Sequence, residues 1–234
     1  MNKKFAFLLF LLNVDLLAQR VWEARGKVLY EDAAGRQTDL GIGFNPVASR
    51  DGRVFYLGGH PFDYGEEFDC SKQETKNWVS VFDPKTMMQR TLFDRELPFE
   101  TSLGFCIFEQ MQISSDGSVL YLVSPVSATS GSMAIIRVRD GAISYVHGVN
   151  SVYIIERGPH ADELIYQRRV WGRSADDGLE YPHYPFIHAR PDGVQIAEIS
   201  DEYFTVGGND RVPILRQYLR KIGGTIAVNG QKLP

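Results

Sequence analysis

The sequence predicts an all-β protein assembled from repeated hairpins, and three observations carry that prediction. Asp-Gly turns recur between short, alternating apolar stretches, at Asp51-Gly52, Asp116-Gly117, Asp140-Gly141 and Asp192-Gly193. These residues accept the positive φ that tight hairpins need. The 234-residue chain is generous in Gly (22), Pro (11) and aromatics (12%), a mix that favours many short strands joined by turns. Finally, the hairpins are of two kinds that alternate along the chain at a spacing of about 50 residues, the signature of a repeat array.

The first residues stand apart. Met1–Lys4 is a short basic start, Phe5–Leu12 is wholly apolar, and Leu16–Gln19 offers small Ala18 as a cleavage point. This is the pattern of a secretory signal peptide over 1–18, with Asp15 as an unusual acid near the apolar run. The run is shorter than the ~20 residues a spanning helix needs, so no stable membrane insertion is expected. With no Cys at the cleavage point, a lipid anchor is not expected either. The reading leaves a domain over 19–234 in the periplasm or outside the cell.

From there the chain reads as hairpins in sequence. One kind, called outer, covers Lys27–Leu40, Trp78–Phe93, Ala134–His147 and Phe186–Ile199. The other, called inner, covers Val47–Leu57, Gln112–Val123 and Gly158–Gln167. Inner and outer hairpins alternate, so each unit supplies four antiparallel strands, which is a propeller blade. The expected architecture is a small or partial β-propeller of about four four-stranded blades. The N-terminal outer hairpin would join C-terminal strands at Tyr203–Gly207 and Thr225–Asn229 to close the ring, removing unpaired edges. A dimer that supplies missing blades is the alternative. Pro213–Ile222 breaks the pattern as one short helix, with Ile214, Leu215, Tyr218, Leu219 and Ile222 on one face. That face is expected to cover the domain's own edge; a docking helix for a partner is the other reading.

The inner hairpins resemble a known family. Pro46, Ser49 and Asp51-Gly52 in NPVASRDGRVFYL, and Ser114 and Asp116-Gly117 in QISSDGSVLYLV, are similar to the WD40-like "SPDG" repeat of TolB-type β-propellers. The second repeat has Met111 where a Pro would lie, and the third departs further, with Asp162-Glu163 and no Gly. The resemblance covers about 47–167 and implies a fold and an exported setting. It implies no activity, because the repeat is structural.

In such a blade, alternate loops emerge on opposite faces. The Asp-Gly turns then crowd one face and the long connections the other: 58–77, 94–108 and 168–185. Long loops are where function concentrates. Cys70 and Cys106 fall on that same face in connections of one blade, so they are expected to form a disulfide closing a loop of about 35 residues, worth ~3–4 kcal/mol.

On the long-loop face, Tyr64, Phe68, Arg168, Arg169, Trp171, Arg173, Tyr181 and His183 form the candidate binding set, with Trp78 and Tyr184 nearby. Trp, Tyr and Arg are the residue types enriched in binding hot spots. The expected function is an exported, non-catalytic module that binds a protein or peptide through this face. The alternative is a periplasmic enzyme or a small-ligand or sugar-binding protein using His60, Asp63, Glu66, Glu67 and Asp69. A net charge of −4 argues against nucleic acid. Gly172–Asp176 lacks the final Gly of a nucleophile elbow, and Gly41-Ile42-Gly43 leads to no dinucleotide fingerprint. No cofactor, metal or catalytic residue is expected. His183 and His188, five apart, point to opposite faces if on one strand, and His60, His147 and His160 read as isolated.

Overall fold

The computed structural model describes residues 19–61, 76–93, 107–127, 130–173, 178–199, 211–228 and 231–233. The leader 1–18, Tyr64, Phe68, the acids Asp63, Glu66, Glu67 and Asp69, the segment Tyr203–Gly207 and both cysteines lie outside the described residues.

The four outer hairpins and the first two inner ones are present as read; the third inner hairpin is displaced, since 158–163 is turn and the strand that pairs with Leu164–Arg168 is Val149–Ile154, further upstream. The chain opens with β1 (Arg20–Ala24), β2 (Lys27–Glu31) and β3 (Gln37–Ala48), followed by β4 (Val54–Gly58), β5 (Trp78–Asp83) and β6 (Met88–Phe93). Three further groups follow. The first is β7 (Gln110–Ile113), β8 (Val119–Ser127), β9 (Ser130–Arg137) and β10 (Ile143–His147). The second is β11 (Val149–Ile154), β12 (Leu164–Arg168), β15 (Phe186–Ala189) and β16 (Gln195–Ile199), interrupted by the hairpin β13 (Val170–Arg173) and β14 (Glu180–His183). The last is the helix α1 (Arg211–Ile222), with β17 (Ile226–Val228) and β18 (Gln231–Leu233).

These strands make three complete four-stranded antiparallel blades: the second half of β3 with β4, β5 and β6; β7 to β10; and β11, β12, β15 and β16. β3 is a 12-residue strand shared between two sheets. Its first half pairs with β2, from Glu31↔Gln37 to Lys27↔Ile42, and its second half with β4, from Gly43↔Gly58 to Ala48↔Val54. The fold is therefore a partial propeller, with a three-stranded sheet of β1, β2 and the start of β3 at its N-terminal end. Of the two segments expected to join the N-terminal hairpin, the one at Thr225–Asn229 instead pairs within the C-terminal hairpin, β17 with β18, and Tyr203–Gly207 lies outside the described residues; the N-terminal hairpin is continuous with the first blade through β3. That continuity has a local cause: the chain crosses from one sheet to the next at Gly41 (φ 96°) and Asn45 (φ 50°), with pairing irregularities on both sides of β3.

Alternation along the second strand of each blade explains the stacking. Val54 and Tyr56 of β4 pack with Val28, Tyr30 and Leu40 of the N-terminal sheet, whereas Phe55 and Leu57 face the second blade. In β8, Leu120 and Leu122 join that first inter-blade core, and Tyr121 and Val123 face the third blade. In β12, Leu164 and Tyr166 complete the second core, while Ile165 faces α1. Strands buried on both faces read as continuous apolar runs, and each full burial of such a side chain is worth about 1.5–3 kcal/mol.

The helix does what its apolar face predicts. Leu215 and Leu219 are buried with Ile155, Ile165, Ile199 and Ile226 against the outer side of the third blade. Gly223, at φ 67°, ends it: its N–H donates to the Arg220 carbonyl and that of Gly224 to the Leu219 carbonyl, a Schellman closure. Among the described residues, no helix is long and apolar enough to cross a membrane.

Candidate functional site

The SPDG turns are closed by their own side chains. Ser114 Oγ donates to Asp116 Oδ1 (2.7 Å), which also accepts from the Ser118 N–H (2.9 Å), and Gly117 turns the chain at φ 72°. The Ser114 and Ser118 hydroxyls and the Ser118 N–H hold the Asp116 carboxyl below its ordinary range. The first turn repeats the arrangement, with Ser49 Oγ to Asp51 Oδ1 at 2.6 Å and Gly52 at φ 89°. The two turns are joined by the Arg50 N–H donating to the Ser115 carbonyl (2.6 Å).

The third turn is built differently. Asp162 itself takes the left-handed conformation, at φ 70°. Its carboxylate leaves the turn to accept from the N–H and the hydroxyl of Ser115, each at 2.7 Å. The side chains on either side are freed as well. His160 Nδ1 lies 2.8 Å from Glu163 Oε2, and His188 Nε2 lies 2.7 Å from the same oxygen. His188 stands on β15 opposite Ile165 of β12, one pair from the strand end that follows Glu163. Its ring is 1% exposed, and its Nδ1 meets the hydroxyl of Tyr218 from α1 at 2.8 Å. Burial pushes the imidazole below its ordinary value, against the opposing pull of Glu163. Although Nε2 is close to Oε2, it lacks the alignment of a hydrogen bond and makes none. Sequence reasoning missed this group: three elements far apart in the chain supply it.

Between the innermost strands β3, β7 and β11 lies a cavity of about 800 Å³, with Gln110, Gln112, Asn150 and Tyr153 in its wall. Two of its polar residues are already engaged. Gln110 donates to the Val152 carbonyl (2.6 Å) and accepts from the Val152 N–H (3.0 Å), filling the edge of β11, and Asn45 donates to the Met111 carbonyl (3.4 Å).

The residues predicted to bind separate into two groups. Arg169, Trp171, Arg173, Tyr181 and His183 lie on or beside the β13–β14 hairpin, which among the described residues pairs only within itself, from Val170↔His183 to Arg173↔Glu180. Trp171 is 61% exposed, Leu179 59% and Tyr181 43%. The Arg169 guanidinium lies 4.8 Å from the Trp171 ring centroid, a cation–π contact of about 0.5–1 kcal/mol. Arg173 faces Glu180 at 3.9 Å, both exposed. His183, by contrast, packs its ring against Gly172, where a Cβ would collide with it. Arg168 is half-buried at the end of β12, with its N–H bonded to the Pro185 carbonyl. Trp78 belongs to blade packing, its ring filling the space above Gly58. Exposed His60 contributes its carbonyl to the Asn77 amide (3.0 Å).

No protein-family model and no curated protein matches the chain. Among solved structures, it is similar to the β-propeller domain of the Trilobed protease from Pyrococcus furiosus, at 11% identity over 78% of this chain and 52% of that one, with a TM-score of 0.48. It is similar also to TolB from Acinetobacter baumannii, at 14% identity over 75% of this chain and 38% of that one, with a TM-score of 0.43. A protein from Lactobacillus plantarum shares 14% identity over 75% of this chain and 57% of its own, with a TM-score of 0.36. The chain thus spans between 38% and 57% of the length of these structures. Its propeller character stands on its own three blades.

Proposed function

We propose that this chain is an exported, non-catalytic binding module whose partner is a protein or peptide engaged through the β13–β14 hairpin. One observation carries the reading: the hairpin stands outside the blade sheet and exposes Trp171, Leu179 and Tyr181 together with Arg173. Large exposed aromatics beside Arg are the side chains that dominate protein interfaces. The polar amides Asn45 and Gln110 of the central cavity serve the strand edges, which favours the hairpin over the cavity as the contact. Pairing with a second copy through the ends of the blade stack is disfavoured, because one end carries the N-terminal sheet and the other carries α1.

The test compares capture by the mature chain and by a Trp171→Ala/Tyr181→Ala variant, from an envelope extract of the native host. A partner held here is lost with the variant by about 30-fold in affinity, the size of a 2 kcal/mol hot spot. The Arg36→Ala variant, remote in an exposed turn, retains it. Equal capture by all three chains sinks the reading.

A further inference from the structure

We propose that His160, Glu163 and His188 form a binding site for a first-row divalent transition ion of the zinc type, which fastens the third inner turn to the third blade. The three ligand atoms, His160 Nδ1, Glu163 Oε2 and His188 Nε2, all lie within 4.8 Å of one another. The carboxylate oxygen already stands 2.8 Å and 2.7 Å from the two nitrogens. A tetrahedral ion with bonds of about 2.0–2.1 Å asks its ligand atoms to be roughly 3.3 Å apart, so the carboxylate oxygen would draw back by about half an ångström and the two imidazoles, whose ligand nitrogens are up to 4.8 Å apart, would close by up to about 1.5 Å.

A second, independent observation points to a ligand. His188 Nε2 is buried in a residue only 1% exposed, lies against a carboxylate oxygen and makes no hydrogen bond. A buried imidazole nitrogen pressed against a carboxylate oxygen outside hydrogen-bond alignment calls for an explanation. An ion beside Oε2 supplies one, accepting the Nε2 lone pair and the carboxylate together. The other ring nitrogen is already committed. In the metal-binding tautomer, Nδ1–H donates to the Tyr218 hydroxyl at 2.8 Å, fixing the ring as outer partners of metal-bound His do. Two imidazoles and one carboxylate suit zinc or its first-row neighbours and exclude calcium or magnesium, which take oxygen ligands. His160 and Glu163 remain 36% and 24% exposed, leaving an entry path and room for a water as fourth ligand. The ion would join the turn, β15 and, through Tyr218, α1.

The experiment uses the tag-free mature chain, stripped with chelator and titrated with Co²⁺ as a spectroscopic probe and with Zn²⁺ by calorimetry. One equivalent of Co²⁺ is expected to give intense tetrahedral visible bands that Zn²⁺ abolishes, and the thermal midpoint rises with Zn²⁺. His160→Ala and Glu163→Gln, both at partly exposed positions, lower affinity at least 100-fold while circular dichroism stays that of the parent. Tyr218→Phe lowers it about 10-fold. His60→Ala and His147→Ala leave it unchanged. Failure of the parent chain to bind Co²⁺ or Zn²⁺ overturns the proposal, as does binding that survives the His160→Ala/Glu163→Gln pair.

Discussion

The second and third inner turns occupy equivalent places in consecutive blades and spend their side chains in opposite ways. In the second, Ser114, Asp116 and Ser118 bond to one another and to the turn's own backbone. These three side chains are spent within the turn; among the described residues, Ser115 alone of its polar side chains reaches out, to Asp162. In the third, the left-handed conformation falls on Asp162, and no Ser–Asp pair closes the loop. Its carboxylates reach outward, Asp162 to Ser115 of the neighbouring blade and Glu163 to the two imidazoles. A regular repeat consumes its polar groups in making the turn; a degenerate one releases them for contacts between elements.

The largest test of that contrast is at the glycines. A Cβ on Gly158, at φ 99°, would collide with the Gly223 carbonyl, backbone that cannot move aside. On Gly117, at φ 72°, the nearest atom is the guanidinium end of Arg53, which can. Urea unfolding is expected to show about 3 kcal/mol lost in Gly158→Ala and about 1–2 kcal/mol in Gly117→Ala, the latter being mainly left-handed strain. Equal losses would mean that the third turn is not pinned to the end of α1.

Next in size is the link between blades. Asp162→Ala removes two charge-assisted bonds to Ser115 and should cost about 1.5–3 kcal/mol. Combined with Ser115→Ala in a double-mutant cycle, it should show coupling of 0.5 kcal/mol or more, on the order expected for contacting residues. Asp116→Ala with Ser115→Ala should be closer to additive, since Asp116 serves its own turn.

A pH titration separates the turns further. The folded carboxyl of Asp116 lies below its ordinary value of 3.8, so the unfolded chain binds the proton more readily than the folded one. Its contribution is therefore complete above pH 3.8 and is lost as pH falls from there through the folded value. Asp116→Asn should flatten the acid limb of the stability curve while leaving its neutral side parallel to the parent's. An unchanged acid limb would show that the serine bonds are not made in solution. The smallest effect is expected from Arg53→Ala. The side chain holds Asp51 at 2.7 Å and the Asp116 carbonyl at 3.3 Å on an exposed surface. About 0.5 kcal/mol, measured by the same unfolding, is the scale of such pairs.

The scaffold was legible because its information is local. Asp-Gly turns, alternation over five residues and the apolar heptad-like face of Pro213–Ile222 are each read within a dozen positions, and each appears where expected. The order of joining was less so. That β3 continues from one sheet into the next depends on backbone turns at Gly41 and Asn45, which carry no distinctive pattern. The β13–β14 hairpin was recognised by its residues, Trp171 and Tyr181, although not as a paired ribbon. The His160, Glu163 and His188 group was invisible to spacing, since its members are brought together only by the pairing of β12 with β15. A signal did exist. Glu163 precedes β12, and antiparallel pairing of consecutive blade strands sets the end of β15 beside it. Carrying the hairpin phase one strand further would have set His188 against the third turn.

The two ends of the blade stack are covered by unlike material, a three-stranded sheet on one side and α1 on the other. Stacked repeats with bare, matching ends are head-to-tail adhesives, and rotation that does not close a ring turns them into filaments. Among the described residues, one end of the stack presents the N-terminal sheet and the other presents α1, where a bare array would present a blade face.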